Sequence, residues 1–156
     1  MPRSRWDNER LGSIARQSPR MSSALLFGGA TLIVTYFAWI PDARTSGLTP
    51  ALTIAAGAAH AVAALFTGGR LLDDGRTRSL ADAGLVGAFT SLLALAIFSP
   101  LFAIFLFATD AIQPSGWIGY LLMPVFVAVF AFLAIGWALM LVSGAVGCGL
   151  YRLASR

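Results

Sequence analysis

Four apolar stretches, each about as long as a bilayer core is thick, leave this chain few ways to fold. They fall into two pairs, and the ten residues Arg70 to Ser79, reading Arg-Leu-Leu-Asp-Asp-Gly-Arg-Thr-Arg-Ser, form the only dense run of charge between the pairs. A hydrocarbon core of roughly 30 Å takes about 20 apolar residues of helix to cross. Lipid offers the backbone no hydrogen-bond partners, so each crossing must satisfy its own amides and carbonyls. The expectation is an all-α polytopic membrane protein, with four transmembrane helices arranged as two hairpins, at about 21–40, 50–69, 80–108 and 117–150. A cytoplasmic arginine-rich segment, 1–20, precedes this transmembrane domain of 21–156.

Composition agrees. Of 156 residues, 58% are hydrophobic and 12% charged, against roughly 45–50% and about 25% in soluble domains. No polar stretch exceeds about 20 residues, too short for a separate soluble domain of about 50 or more, which argues against an enzyme of the soluble kind. The net charge of +4 comes from 11 basic and 7 acidic residues, and every basic residue is arginine. These arginines sit at the ends of apolar segments, where they orient the chain and meet anionic head groups rather than nucleic acid. Cys148 is the single cysteine and forms no intrachain disulfide; in its Gly-rich apolar stretch it reads as a small packing residue.

In chain order, Ser4-Arg5-Trp6-Asp7 has the capping-box form, and Leu11, Ile14 and Ala15 make a narrow apolar stripe. Two readings stand for this segment: a short interfacial helix over about 5–17 anchored by Trp6, or an arginine-rich tail without fixed structure. The first apolar helix carries Tyr36, Phe37 and Trp39 at its far interface, and Pro41 ends it. The second, from about Pro50, is built of small residues such as Ala55, Ala56, Gly57 and Ala59, and Gly68-Gly69 is expected to end it. Small side chains let a neighbouring backbone approach closely, which places this helix centrally in the bundle. In the third, Asp82 suits the positive helix N-terminus, a kink is expected before Pro100, and Phe98, Phe102 and Phe105 form one aromatic stripe. The fourth begins at Trp117 and Tyr120 and exceeds a simple crossing, with Trp137 about 30 Å further along by helical rise.

Arginine counting sets the orientation. The N-terminal segment, the central loop with Arg70, Arg76 and Arg78, and the C-terminal Arg152 and Arg156 share one side, whereas Arg44 is alone on the other. That asymmetry puts both termini in the cytoplasm of a multi-pass protein of the cell membrane.

His60 is the outstanding chemical candidate, being the only histidine and central in the second helix. An ionisable side chain at that depth is a functional hypothesis by default. It has two readings: an axial ligand to haem iron or a chlorophyll-type magnesium, or a neutral histidine bonded to a neighbouring helix. With one histidine, a second axial ligand must come from Met123, Met140, water or another subunit. Asp73 and Asp74 read as a solvated turn, and Arg70, Arg76, Arg78 and Arg152 as lipid or partner contacts. Small-residue pairs, Ala83 with Gly87, Gly84 with Ala88 and Ser143 with Gly147, read mainly as packing between neighbours within the chain. No phosphate loop, metalloprotease motif, Ser-His-Asp set or metal-ligand spacing is present.

These observations lead to a non-catalytic accessory or structural subunit of a larger membrane complex, or a homo-oligomer, whose partners are lipid and other membrane subunits or itself. The leading expectation includes no cofactor. One alternative is a haem- or pigment-binding electron-transfer subunit using His60. Another is a small oligomeric transporter or channel for an uncharged solute, along Thr31, Thr35, Thr53, Thr67, Thr90 and Ser91.

Overall fold

The computed structural model describes residues 18–39, 48–72, 79–114 and 116–155. Every regular element among them is helical. Helix α1 spans Pro19–Trp39, α2 Leu48–Leu72, α3 Leu80–Ala108 and α4 Gly116–Ala131. A π-helical turn, Phe132–Gly136, then leads directly into α5, Trp137–Ala154, so that α4, the turn and α5 make one long crossing. Four spans are thus long and apolar enough to cross a membrane, as a multi-pass protein requires. Pro41 and the loop carrying Asp73 and Asp74 lie outside the described residues, as does the N-terminal segment up to 17.

The burial pattern is that of a chain folded in lipid. Large apolar side chains such as Leu25, Phe66, Leu85, Trp117 and Leu141 are exposed, while hydroxyl residues including Ser23, Thr31, Thr90 and Ser91 are buried. Lipid tails solvate leucine as well as a protein core does, so helix association rests on close backbone approach and on interhelical hydrogen bonds. Between α1 and α2 this approach occurs at Gly28, whose absent Cβ would lie 3.1 Å from Ala61 Cβ and 3.2 Å from the Gly57 carbonyl. Between α3 and α5 it is tighter: a Cβ on Gly87 would strike the Ser143 carbonyl, and one on Gly147 the Ala83 carbonyl. The pairs Ala83/Gly87 and Ser143/Gly147 therefore pack neighbours within the chain, and Cys148 joins the same seam, its Sγ 3.4 Å from the Leu80 carbonyl. Phe27, Ala64, Leu71, Ala83 and Leu150 complete the core at this end of the bundle.

Two boundaries differ from the sequence expectation. Helix α2 does not stop at Gly68-Gly69 but continues to Leu72. Each glycine weakens a helix by roughly 1 kcal/mol, yet Gly68 lets Ser23 of α1 come within 2.7 Å of its would-be Cβ, and Leu71 beyond it is only 2% exposed. The added turn packs Leu71 against Phe27, Ala83 and Leu150 and keeps the backbone groups of these residues hydrogen-bonded, which the weak propensity of two glycines does not offset. The fourth apolar stretch is also not one regular helix, because the π turn inserts a residue into its register. Gly136 is buried there with its would-be Cβ 3.0 Å from the Phe132 ring, a fit that any larger residue would crowd.

Both ends of α3 are capped. Ser79 is extended, and its hydroxyl accepts a hydrogen bond from the Asp82 amide at 3.1 Å, with Asp82 in the first turn where the helix dipole favours it. At the other end Asp110 takes φ 51°, and the Ala111 and Asp110 amides donate to the Leu106 and Phe107 carbonyls, a Schellman arrangement with aspartate where glycine is usual. The helix runs through Pro100 without interruption. Helix α4 packs along the second half of α3, with Phe107 and Tyr120 rings 4.8 Å apart, and it buries none of its own residues.

Candidate functional site

His60 lies midway along α2 and is 4% exposed. Its Nδ1 is 3.0 Å from the Ala56 carbonyl oxygen, which only accepts, so Nδ1 carries a proton and donates it. Its Nε2 is 3.2 Å from Ser91 Oγ on α3. Ser91 Oγ in turn lies 2.7 Å from Ser143 Oγ on α5 and 3.1 Å from the Leu139 carbonyl. The hydroxyl of Ser91 owns one proton and has three acceptors in reach. Ser91 is the donor toward Ser143 and Leu139, and a neutral Nε2 competes with them for the same proton.

This junction ties α2, α3 and α5 at one depth. His60 stands twelve residues before Leu72, Ser91 eleven after Leu80, and Ser143 eleven before Ala154, all counted from the arginine-bearing end. At about 1.5 Å of rise per residue these offsets agree within a single turn. The other hydroxyls are held similarly. Thr35 donates to the Thr31 carbonyl at 2.6 Å, Thr90 to the Val86 carbonyl at 2.8 Å, and Thr67 Oγ1 lies 2.8 Å from Thr90 Oγ1. Of the residues expected along a polar solute path, Thr35, Thr67 and Thr90 are therefore bonded to their own helices or to each other.

Beside the junction lies a cavity of about 620 Å³, partly open to the surroundings. Its floor is α3, through Leu95, Phe98, Phe102 and Leu106. One wall is α2, through Leu52, Ala56 and His60, and the other is α4, through Met123, Phe126, Val127 and Phe130. The π turn and the start of α5 close its inner end with Ile135, Gly136, Leu139 and Met140. The aromatic stripe of α3 contributes directly, the Phe98 and Phe102 rings stacking at 5.4 Å. The volume falls within the roughly 300–1,000 Å³ of small-molecule sites, and the walls are almost wholly apolar.

The structure brings Met123, Met140 and His60 to the lining of one cavity. A metal at Nε2 would sit about 2.0–2.1 Å away, in the direction where Ser91 Oγ lies. Among the described residues no group of three His, Cys, Asp or Glu side chains gathers. Arg152 is exposed in the last turn of α5, where a cation complements the helix dipole. Arg70 falls in the last turns of α2, and Arg76 and Arg78 lie outside the described residues.

No family model, curated protein or solved structure matches this chain. The site thus rests on its own geometry. Sequence reasoning named Ser91 and Ser143 separately and did not pair them with His60; their common depth from the charged end is the signal that links them. The cavity left no such trace, because it depends on how far α4 stands from α2.

Proposed function

We propose that the protein is a non-enzymatic membrane protein that works by holding another membrane component in the cleft between α2 and α4. It does so as an accessory subunit of a larger complex or as a homo-oligomer. The observation that carries this reading is helix α4, which buries none of its residues and leaves a 620 Å³ apolar cavity behind it. A helix so placed gains little from its own chain, and an occupant of the cleft would supply the missing contacts.

Three further points support it. Both nitrogens of the one histidine have partners within the bundle, which leaves neither poised for proton transfer to a substrate. The outer side of the long crossing presents Trp117, Leu121, Val125, Val129 and Leu133 at intervals of four, all exposed and apolar, a ridge suited to lipid or to a second helix. Arginines gather at one end, Arg20 and Arg152 among them, against Arg44 at the other, which favours cytoplasmic termini in the cell membrane.

The test is the mass, composition and visible spectrum of the particle purified from its native membrane in mild detergent. The expected result is a colourless particle that carries a second component in fixed ratio to the chain. A bare monomer that moves an uncharged solute across liposomes would overturn the reading, as would a Soret band lost in His60→Ala.

A further inference from the structure

We infer that the occupant of the cleft is a single hydrocarbon chain, acyl or isoprenoid, that enters sideways from the leaflet on the Thr109–Pro114 side and ends against His60 and Ser91. The inference rests on the holding role proposed above and names what is held. Three features of the cavity carry it: its bore, its depth and its walls.

The cavity follows α3 from Leu106, beside the Thr109–Pro114 turn, to Ser91 at the polar junction. Those fifteen residues correspond to about 22 Å of helical rise. About 620 Å³ open to the centres of water-sized spheres, spread over that length, gives a width of about 6 Å for those centres and about 9 Å between the walls. A helix with its side chains is roughly 10–12 Å across, so the bore is too narrow for a partner helix. It admits a hydrocarbon chain.

Depth agrees with bore. Ser91 lies near the middle of α3 and His60 at the middle of α2, so the inner end falls near the bilayer midplane and the outer end near the interface. The cavity therefore spans about one leaflet, half of a core of roughly 30 Å together with its interfacial margin. A lipid tail anchored by its head group at that interface has this reach.

The walls decide which end goes in. His60 and Ser91 line the cavity, yet their polar atoms are bonded to Ala56, Ser143 and Leu139. The surface they offer is apolar, and a polar group brought to the inner end would lose its water without replacement. The apolar terminus goes deep and the polar group stays beside the turn. Phenylalanine faces and the flexible Met123 and Met140 side chains adapt to a chain whose shape is not fixed.

The full-length chain, extracted from its native membrane in mild detergent and passed over a sizing column, is examined by native mass spectrometry. In parallel, Phe98, a partly buried side chain of the cavity lining, is replaced by the photoreactive benzoylphenylalanine and irradiated in the native membrane. One hydrocarbon-bearing molecule per chain is expected, with a lipid-mass adduct at position 98, and the adduct mass separates an acyl lipid from an isoprenoid. Ala131→Trp, which places an indole in the bore, should lower occupancy at least tenfold with circular dichroism and elution unchanged. If that variant misfolds, the adduct in the otherwise native chain decides. A peptide adduct at 98 would overturn the hydrocarbon assignment and leave the holding role standing. Undiminished occupancy in a folded Ala131→Trp would also overturn the assignment, while a chain with no adduct and no retained component would remove both.

Discussion

Replacing Gly87 by alanine should loosen the α3–α5 seam, whereas the same change at Gly149 should not. The Gly87 Cβ would strike the Ser143 carbonyl oxygen and lie 2.9 Å from the carbonyl carbon and 3.1 Å from Gly144 Cα. Restoring ordinary contact at that carbon requires the two helices to separate by about 0.5 Å or more, and a gap of that size forfeits roughly a quarter of the dispersion energy along the seam. Overpacking of this kind costs about 1–3 kcal/mol. The Ser91–Ser143 contact, 2.7 Å long, spans the same seam and weakens with it, at up to about 0.6 kcal/mol for an average interhelical hydrogen bond. Against this, alanine is the better helix former by about 1 kcal/mol. The net expectation for Gly87→Ala is a loss of up to about 2.5 kcal/mol.

Gly149 has nothing within 4 Å of its would-be Cβ, so only the propensity gain applies and Gly149→Ala should be neutral to about 1 kcal/mol more stable. The difference between the two Gly→Ala variants, in which the propensity gain cancels, is about 1–3.5 kcal/mol and is read from equilibrium unfolding in mixed micelles by circular dichroism. Equal stability of Gly87→Ala and Gly149→Ala would refute the seam as the place where α3 and α5 are held.

Other substitutions test the polar junction and the caps. Ser91→Ala leaves His60 Nε2 and Ser143 Oγ without their shared partner and should destabilise by about 1–3 kcal/mol in the same assay. A double-mutant cycle of Ser91→Ala with His60→Phe should return a coupling of about 0.5 kcal/mol or more, and additive effects would deny the contact. Asp110→Gly relieves a left-handed residue at φ 51° and should raise stability by up to about 1 kcal/mol, whereas Asp110→Val should lower it; unfolding midpoints distinguish the two. Ser79→Ala removes the hydroxyl that accepts the Asp82 amide and should cost about 1 kcal/mol, visible as faster amide exchange in the first turn of α3.

How much of this was legible in the sequence depends on the range over which each feature is decided. The four crossings were legible because a run of about 20 apolar residues is a local property, and lipid admits only helices to such a run. The end of α2 was misread because Gly68-Gly69 is a local stop signal, while Leu71, which overrides it, gains its burial from Phe27, Ala83 and Leu150 on three other helices. The π turn at Phe132–Gly136 has no stop signal at all; its register matters only because it sets Ile135, Gly136 and Leu139 against the inner end of the cavity.

The histidine junction falls between these cases. His60 was legible as a special residue, but its partners lie 31 residues away at Ser91 and a further 52 away at Ser143. In water such partners are unforeseeable, because a polar side chain can turn to solvent. In lipid it cannot, so a polar group at mid-membrane depth must find another at the same depth. Counting residues inward from the charged end then narrows the partners of a buried histidine to the few hydroxyls within a turn of it. By that count Ser91 and Ser143 qualify for His60. Thr67 and Thr90, which stand five residues before Leu72 and ten after Leu80, do not match by count, yet they meet at 2.8 Å. Depth therefore restricts partners only to within about one and a half turns, roughly 8 Å of rise, and the tilt of α2 against α3 supplies the rest.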